Sequence, residues 1–520
     1  MRVTSIGHAG FVIDTTGGSI LCDPWFTPTY FGSWYPFPRN DELDLALVAR
    51  PDYLYVSHAH RDHLDPEFLA QHVSKDATVL LPDFGVNILE GALRDAGFTK
   101  FLKTQNEVVH ELEGGLKILI KSLAAPHVGP MGDSLLIVAD ETAVVLNQND
   151  AHPEDLEIAS TFGPVDAHLL QYSGAIWYPM VYELGADDEA DAIDVKRQRQ
   201  TARAIDYVEM VNARHVVPSA GPPCFLDEEL FHLNDLEGEA DSIFPDAFAF
   251  LSEFAAAGHE EGRLLVPGST LKVGGGQDGT AVHAASEEHP FAAFLDKRAY
   301  LERYQSDMRS TIEAQHRSWP TDTTDLLSVM KAWLEPILLI AKHTRRGIGA
   351  PVMLTADDGL QIVIDMGTAE VRAPKPNEEC PFRFATRRSL LESSVRRRVE
   401  DWCNELFLSC RFTAYRAGKY NEFLYTFFKS LSVERMRYAE SFYEAQLGDD
   451  EVTWAEVDGW VVERSCPHQA AALVRFGSVC DNVLTCGLHG WEYELPSGNC
   501  ITTEGVRLRV KGRVEHPAHD

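Results

Sequence analysis

Short apolar runs separated by glycine turns open the chain. Val3 to Ile6, Phe11 to Asp14 and Ser19 to Cys22 flank turns such as Thr16-Gly17-Gly18 and predict strands, the last closed by Asp23-Pro24. Tyr53-Leu54-Tyr55-Val56 reads as a further, buried strand. Helical spacing over Pro66 to Val73 and Asn87 to Ala96 brackets a strand at Thr78 to Leu81, and strands dominate from Val108 to Leu146. This alternation predicts a layered α/β unit with a largely β core over about residues 1–275.

Beyond an acidic loop at Gly185 to Asp191, a helix is expected from about Val195 to Asn212. Tyr172 to Tyr178, rich in aromatics and glycine, suits either a pocket wall or core packing. Gly274-Gly275-Gly276 marks a boundary, and no lysine-and-helix pattern follows it to make a phosphate loop. Residues 285–440 then predict a small α/β unit. Its helices run over Phe291 to His316, Thr324 to Lys342 and Arg387 to Trp402, and its strands over Leu360 to Asp365 and Ala369 to Arg372. Residues 445–515 form a third, all-β unit.

Composition narrows the partners. With 46 Lys and Arg against 79 Asp and Glu, a net charge of −33 repels nucleic acid and anionic membranes, so neither is expected as a partner. An anionic substrate would need a local basic pocket. Nine cysteines spread over 520 residues do not make a disulfide framework. There is no apolar signal core and no run of roughly 20 apolar residues, so a cytoplasmic protein is expected.

The chemistry begins at His58-Ala59-His60-Arg61-Asp62-His63, four candidate ligands in six residues at the end of a predicted strand. Imidazole and carboxylate suit zinc or iron alike. His127 and Asp150 follow later strands and could reach the same rim, although His127 could be a loop residue and Asp150 a helix cap. Together they suggest two half-sites: His58, His60 and His127 in one, Asp62 and His63 in the other, and Asp150 between them. Arg396-Arg397-Arg398 is either a solvated helix face or a basic surface for an anionic substrate or redox partner.

Gly7-His8-Ala9-Gly10-Phe11, Asp23-Pro24-Trp25-Phe26 and Ser57 to Asp65 resemble the metallo-β-lactamase superfamily, particularly its lactonase-like branch. The resemblance implies a four-layer αββα sandwich with metals at one edge. That branch usually ends a late strand in proline, any residue, histidine; here Pro218-Ser219-Ala220 puts alanine at the ligand place. One metal or an asymmetric pair is therefore expected, with His215 in packing or solvent. The segment Asp401 to Asn421 resembles small sterol-carrier-like domains, which by itself implies no lipid function.

Cys466-Pro467-His468 and Cys486-Gly487-Leu488-His489 are paired ligand loops with a 17-residue spacer. Two thiolates and two imidazoles fit either Rieske ligation or a zinc ribbon. Cys466-Pro467-His468-Gln469-Ala470 followed by Cys486-x-x-His489-Gly490-Trp491-x-Tyr493 resembles the Rieske [2Fe-2S] family. Ala471, Leu488 and Trp491 stand near the places where respiratory members carry a disulfide and a serine, which implies a lower-potential, oxygenase-type centre. Cys480 and Cys500 are expected to be ordinary thiols.

The combination resembles the CMP-N-acetylneuraminate hydroxylase family, with the Rieske unit C-terminal here and N-terminal in the animal enzymes. It implies a monooxygenase in which electrons from an NAD(P)H-dependent reductase or ferredoxin pass through His468 or His489. They would reduce one or two non-haem irons at His58, His60, Asp62, His63, His127 and Asp150. Oxygen from O2 would then enter a C–H bond or a nitrogen of a small polar metabolite. The alternative is a zinc hydrolase of a phosphodiester or lactone with the Rieske unit as redox sensor.

Overall fold

The computed structural model describes residues 1–514 except 86–87, 124–131, 175, 237–241, 277–278, 284–288, 447–451, 469–470, 489 and 504–505. His127 and His489 thus lie outside the described residues.

Two sheets make the N-terminal sandwich. The first has eight strands and runs from Ala281–Val282 and Thr270–Lys272 through Arg2–Gly7, Gly10–Thr15 and Gly18–Cys22. It continues with Tyr53–Tyr55, Thr78–Leu81 and Phe101–Lys103. From Gly18–Cys22 onward these strands are parallel, as the crossover helices Pro66–His72 and Ile88–Asp95 require. The second sheet orders six strands from His215–Ser219 to Val109–Glu111.

Both faces of most strands are buried, which is why the sequence shows apolar runs more than clean alternation. Val3, Phe11, Ile13 and Tyr55 face inward against Ile118, Leu136, Val138 and Val145 between the sheets. The intervening residues Val12, Leu54 and Val79 pack outward on Phe68, Leu69 and Leu93 of the crossover helices. On the other side Leu135, Ile137 and Leu146 pack on Ala204, Tyr207 and Val208 of the long helix Ala186–Val211. The result is the αββα sandwich.

That long helix begins where an acidic loop was expected. Asp187, Asp188 and Glu189 occupy its first turn, where carboxylates meet the positive end of the helix dipole.

The middle segment builds a five-stranded sheet from Val352–Ala356, Gln361–Asp365, Glu370–Arg372, Phe382–Thr386 and Phe412–Arg416. Its core is continuous with Trp25, Tyr30, Trp34 and Trp177 of the sandwich. The helix Lys297–Ser318 instead buries Leu301 and Tyr304 against Tyr35 and Phe37. Among its described residues the C-terminal segment holds two three-stranded sheets and one short helix, Leu473–Phe476. Among the described residues, no helix is long and apolar enough to cross a membrane.

Candidate metal and cluster sites

His58 to His63 leave the strand Tyr53–Tyr55 at one edge of the sandwich, and Asp150 leaves Val144–Asn149 at the same edge. His58 Nε2 lies 2.7 Å from His60 Nδ1 and 3.8 Å from Asp150 Oδ2. His63 Nε2 lies 3.5 Å from the same Asp150 oxygen and 3.8 Å from Asp62 Oδ2. Asp150 therefore stands between the two histidine sets and caps no helix.

The second half-site has a member that the sequence reading did not propose. His8 Nε2 lies 3.1 Å from Asp62 Oδ2, and ligand atoms of His8, Asp62 and His63 all fall within 4.8 Å of one another. His8 sits in the tight connection between the first two strands with φ of 52°, and its carbonyl accepts the Ala220 N–H at 3.2 Å. The residue at the vacated ligand place thus packs against the backbone of a histidine that reaches Asp62 from a different strand. His215 is at the far end of its strand, packed on Gly279.

Buried carboxylates orient the rings from behind. Asp23 accepts from Ser57 N and Oγ at 2.7 and 2.8 Å and lies 3.1 Å from His63 Nδ1. Asp133 Oδ1 lies 3.3 Å from His58 Nδ1. Where Nδ1–H donates to such a carboxylate, Nε2 is left to face the site. Tyr30 donates to Asp62 Oδ1 at 2.6 Å.

Burial pulls His58 down to about 3 and, with the charge of Lys429, His60 to about 4, so both present neutral nitrogens. Burial opposes the charged forms of Asp150 and Asp62, but His63 outweighs it and both are held below the carboxylate range. His63 Nε2 and Asp150 Oδ1 are buried with no hydrogen-bond partner. Neutral His58 and His60, ionised Asp62 and Asp150, which hold His63 above its ordinary value, and two buried atoms without a partner fit a site that a divalent metal would complete.

At the C-terminal site Cys466 and Cys486 are buried, unjoined, and within hydrogen-bonding reach of each other. Burial and the neighbouring Cys486 push the Cys466 thiol up, a cost that ligation to iron would remove. Tyr493 Oη lies 3.0 Å from Cys466 Sγ. The His468 ring stacks on Trp491 at 3.9 Å, and its Nε2 lies 3.5 Å from Glu422 Oε2, so ligation would run through Nδ1. Two converging thiols and an oriented imidazole fit the cluster. Cys480 and Cys500 form no disulfide.

Both sites open on one cavity of about 790 Å³. His60, Asp62 and Asp150 line it, and so do His468, Gly490 and Trp491. The helix Glu422–Lys429 runs along it, with Glu422 against His468 and Lys429 near enough to His60 to act on its charge. Of the aromatic segment, Trp177 and Tyr178 line the cavity while Tyr172 packs in the core. Arg396 pairs with Asp322 and Glu392, Arg397 pairs with Glu405, and Arg398 lies over the Trp333 ring, so this cluster is held by internal contacts.

Residues 2–150 match the β-lactamase superfamily domain, residues 326–445 the Rv3818-like, SCP2-like domain, and residues 428–510 the Rieske [2Fe-2S] domain. Over 192 residues the chain is 27% identical to a UPF0173 metal-dependent hydrolase of Anaeromyxobacter dehalogenans, covering 33% of this chain and 65% of that protein. An isothiocyanate hydrolase from Delia radicum gut bacteria overlays 53% of this chain and 100% of its own at 14% identity and a TM-score of 0.37, too loosely to carry an argument. The Rieske 2Fe-2S iron-sulfur protein Rv3818 of Mycobacterium tuberculosis is 46% identical over 515 residues, spanning 98% of this chain and 99% of that protein. The chain belongs to the Rv3818 family of Rieske iron-sulfur proteins, with a β-lactamase-superfamily domain at its N-terminus.

Proposed function

We propose that the chain is a metal-dependent oxidoreductase in which two centres serve one substrate cavity. The observation that carries this reading is the shared cavity itself, lined both by His60, Asp62 and Asp150 and by His468 and Trp491. Residues 1–275, 285–440 and 445–515 act as three units, the middle one closing the space between the other two. His58, His60 and Asp150, with His127, hold one metal, and His8, Asp62 and His63 form the second set. Cys466, His468, Cys486 and His489 hold the cluster.

Non-haem iron and a [2Fe-2S] cluster, when bound, supply O2 and electron chemistry, with an NAD(P)H-dependent reductase or ferredoxin as donor. The chain's own groups orient the imidazoles, keep Asp62 and Asp150 ionised and wall the cavity in part with aromatic rings. The outcome in this reading is C–H hydroxylation or N-oxygenation of a small polar metabolite, as in the CMP-N-acetylneuraminate hydroxylase family.

The comparisons back a second reading better than the first. The likeness of a third of the chain to proteins named metal-dependent hydrolases, with two adjacent ligand sets, favours hydrolysis of a phosphodiester or lactone. The Rieske unit would then act as a redox sensor.

Metal analysis joined to a chemical readout separates the two. Protein isolated anaerobically is expected to carry iron beyond that of the cluster. After reduction with dithionite it should be reoxidised by O2 faster than a His58→Ala variant with its cluster intact. Zinc at that site, with cleavage of bis(p-nitrophenyl) phosphate indifferent to cluster reduction, would overturn the oxygenase reading in favour of the hydrolase.

A further inference from the structure

One wall of the cavity is basic although the chain carries a net charge of −33. The helix Ala186–Val211 turns Lys196, Arg199, Gln200 and Arg203 toward the cavity, the i, i+3, i+4 and i+7 positions of one face. Arg199 is committed elsewhere. It pairs with Glu492 at 2.8 Å and crosses Gly490, where a Cβ would meet its guanidinium at 2.6 Å.

Lys196 and Arg203 differ from it. Both are half-buried, and among the described residues neither makes a hydrogen bond or an ion pair. Burial, reinforced by Arg203 and Arg199, pulls the Lys196 ammonium down to about 8, and burial likewise lowers Arg203. Half-buried cations that face a cavity without a partner lose part of their hydration and would gain from a counter-anion. If they served only to balance Asp62 and Asp150, the carboxylates held ionised, they would be paired with them.

Two neutral groups share this condition. Gln200 is 3% exposed, and both its amide atoms lack a partner. Gly174 makes room for it, because a Cβ there would lie 2.2 Å from Gln200 Nε2. His152 lines the same cavity with Nε2 buried and without a partner. Trp177 and Tyr425, which also line the cavity, stack at 6.1 Å and 22°.

We propose that Lys196 and Arg203, with Gln200 and His152 as neutral partners, bind an oxyanion of the substrate, a phosphate or carboxylate on a flat or apolar body that rests against Trp177 and Tyr425. This deepens the shared-cavity reading and rests on it. Arg203 lies within electrostatic reach of Asp150, so the bound anion would sit beside the metal set.

The test uses the full-length holoprotein and three probes of one shape: phenyl phosphate, benzoate and phenol. Calorimetry should show binding of at least one anion and none of phenol at the same concentrations. Arg203→Met and Lys196→Met should each weaken the anion by about 10- to 100-fold, the loss of one charge-assisted contact. Arg203→Lys should retain most of the affinity, and Arg396→Met, which removes a cation outside the cavity, should leave it unchanged. Whichever of phenyl phosphate and benzoate binds more tightly assigns the oxyanion.

Visible absorbance of the cluster and thermal unfolding check that each variant is folded. Lys196→Met should melt no lower than wild type, since an uncompensated cation is lost. Equal binding of phenol, or anion binding indifferent to Arg203→Met, overturns the proposal; the latter is the result if the probe sits on the metal. EPR of the reduced cluster tests the underlying reading separately. An Arg203-dependent anion that leaves the cluster signal unmoved would support the anion site while refuting the shared cavity.

Discussion

Asp23 touches no candidate metal position, yet it holds the site's geometry through His63 Nδ1 and both polar groups of Ser57. His8 is the opposite case, a ring that reaches the site directly. Their variants should separate accordingly. His8→Ala is expected to lower the bound metal by one equivalent, counted by metal analysis against protein. Asp23→Asn should keep the count and weaken affinity by about 10- to 100-fold, the usual cost of losing an outer carboxylate. Equal stoichiometry in His8→Ala would confine the site to one metal. The contiguous ligands His58, His60, Asp62 and His63 were legible because one loop carries them all. His8 and Asp133 were not, since only strand register decides that they meet that loop. Ala220 pointed to a gap; its N–H donates to the His8 carbonyl, while the His8 ring lies 3.1 Å from Asp62.

Two helices decide what the cavity can do, and they differ in how readable they were. The acidic run at Asp187 to Glu189 resembles a solvated loop until its place in the first turn is known. The helix Glu422–Lys429 offers no motif at all, and its role comes from length: two turns, about 10 Å, reach from the cluster loop toward His60. Glu422 accepts from Tyr420 at 2.9 Å and is kept below the carboxylate range because His468 outweighs the effect of burial. Glu422→Gln preserves the volume and removes the charge. A negative charge beside a cluster ligand disfavours added electrons, so the variant should show a higher reduction potential in an EPR-monitored titration. The expected effect is on the order of 1–2 kcal/mol for a charge at this range. Tyr493→Phe should act in the opposite direction by removing the hydroxyl beside Cys466 Sγ. A potential unmoved by Glu422→Gln would mean that the carboxylate is no part of the cluster's surroundings.

At the scale of the molecule, the two ligand motifs made the terminal units legible because each motif is nearly complete within a short stretch. Their mutual packing was not legible, because it depends on contacts across hundreds of residues. Tyr207 and Val208 of the long helix share one apolar core with Val457, Phe476, Leu484 and Trp491 of the C-terminal sheets, and Tyr207 meets Phe476 edge-on at 6.3 Å. Parallel bridges likewise tie Tyr182 to Ala414 and Tyr420 to Thr503. The units therefore resemble one divided core more than beads on a string. Deleting residues 452–520 would uncover large apolar side chains, each worth about 1.5–3 kcal/mol of burial. The truncated chain is expected to lose most of its soluble yield and to bind a hydrophobic dye. Cys486→Ser in the full chain removes a cluster ligand while leaving this core in place, so it should stay soluble and melt cooperatively. Those two results together would assign the C-terminal unit a structural part separate from electron transfer. A truncated protein that is soluble and melts at the wild-type temperature would show that the shared core contributes little, and that the cavity is held together by the middle unit alone.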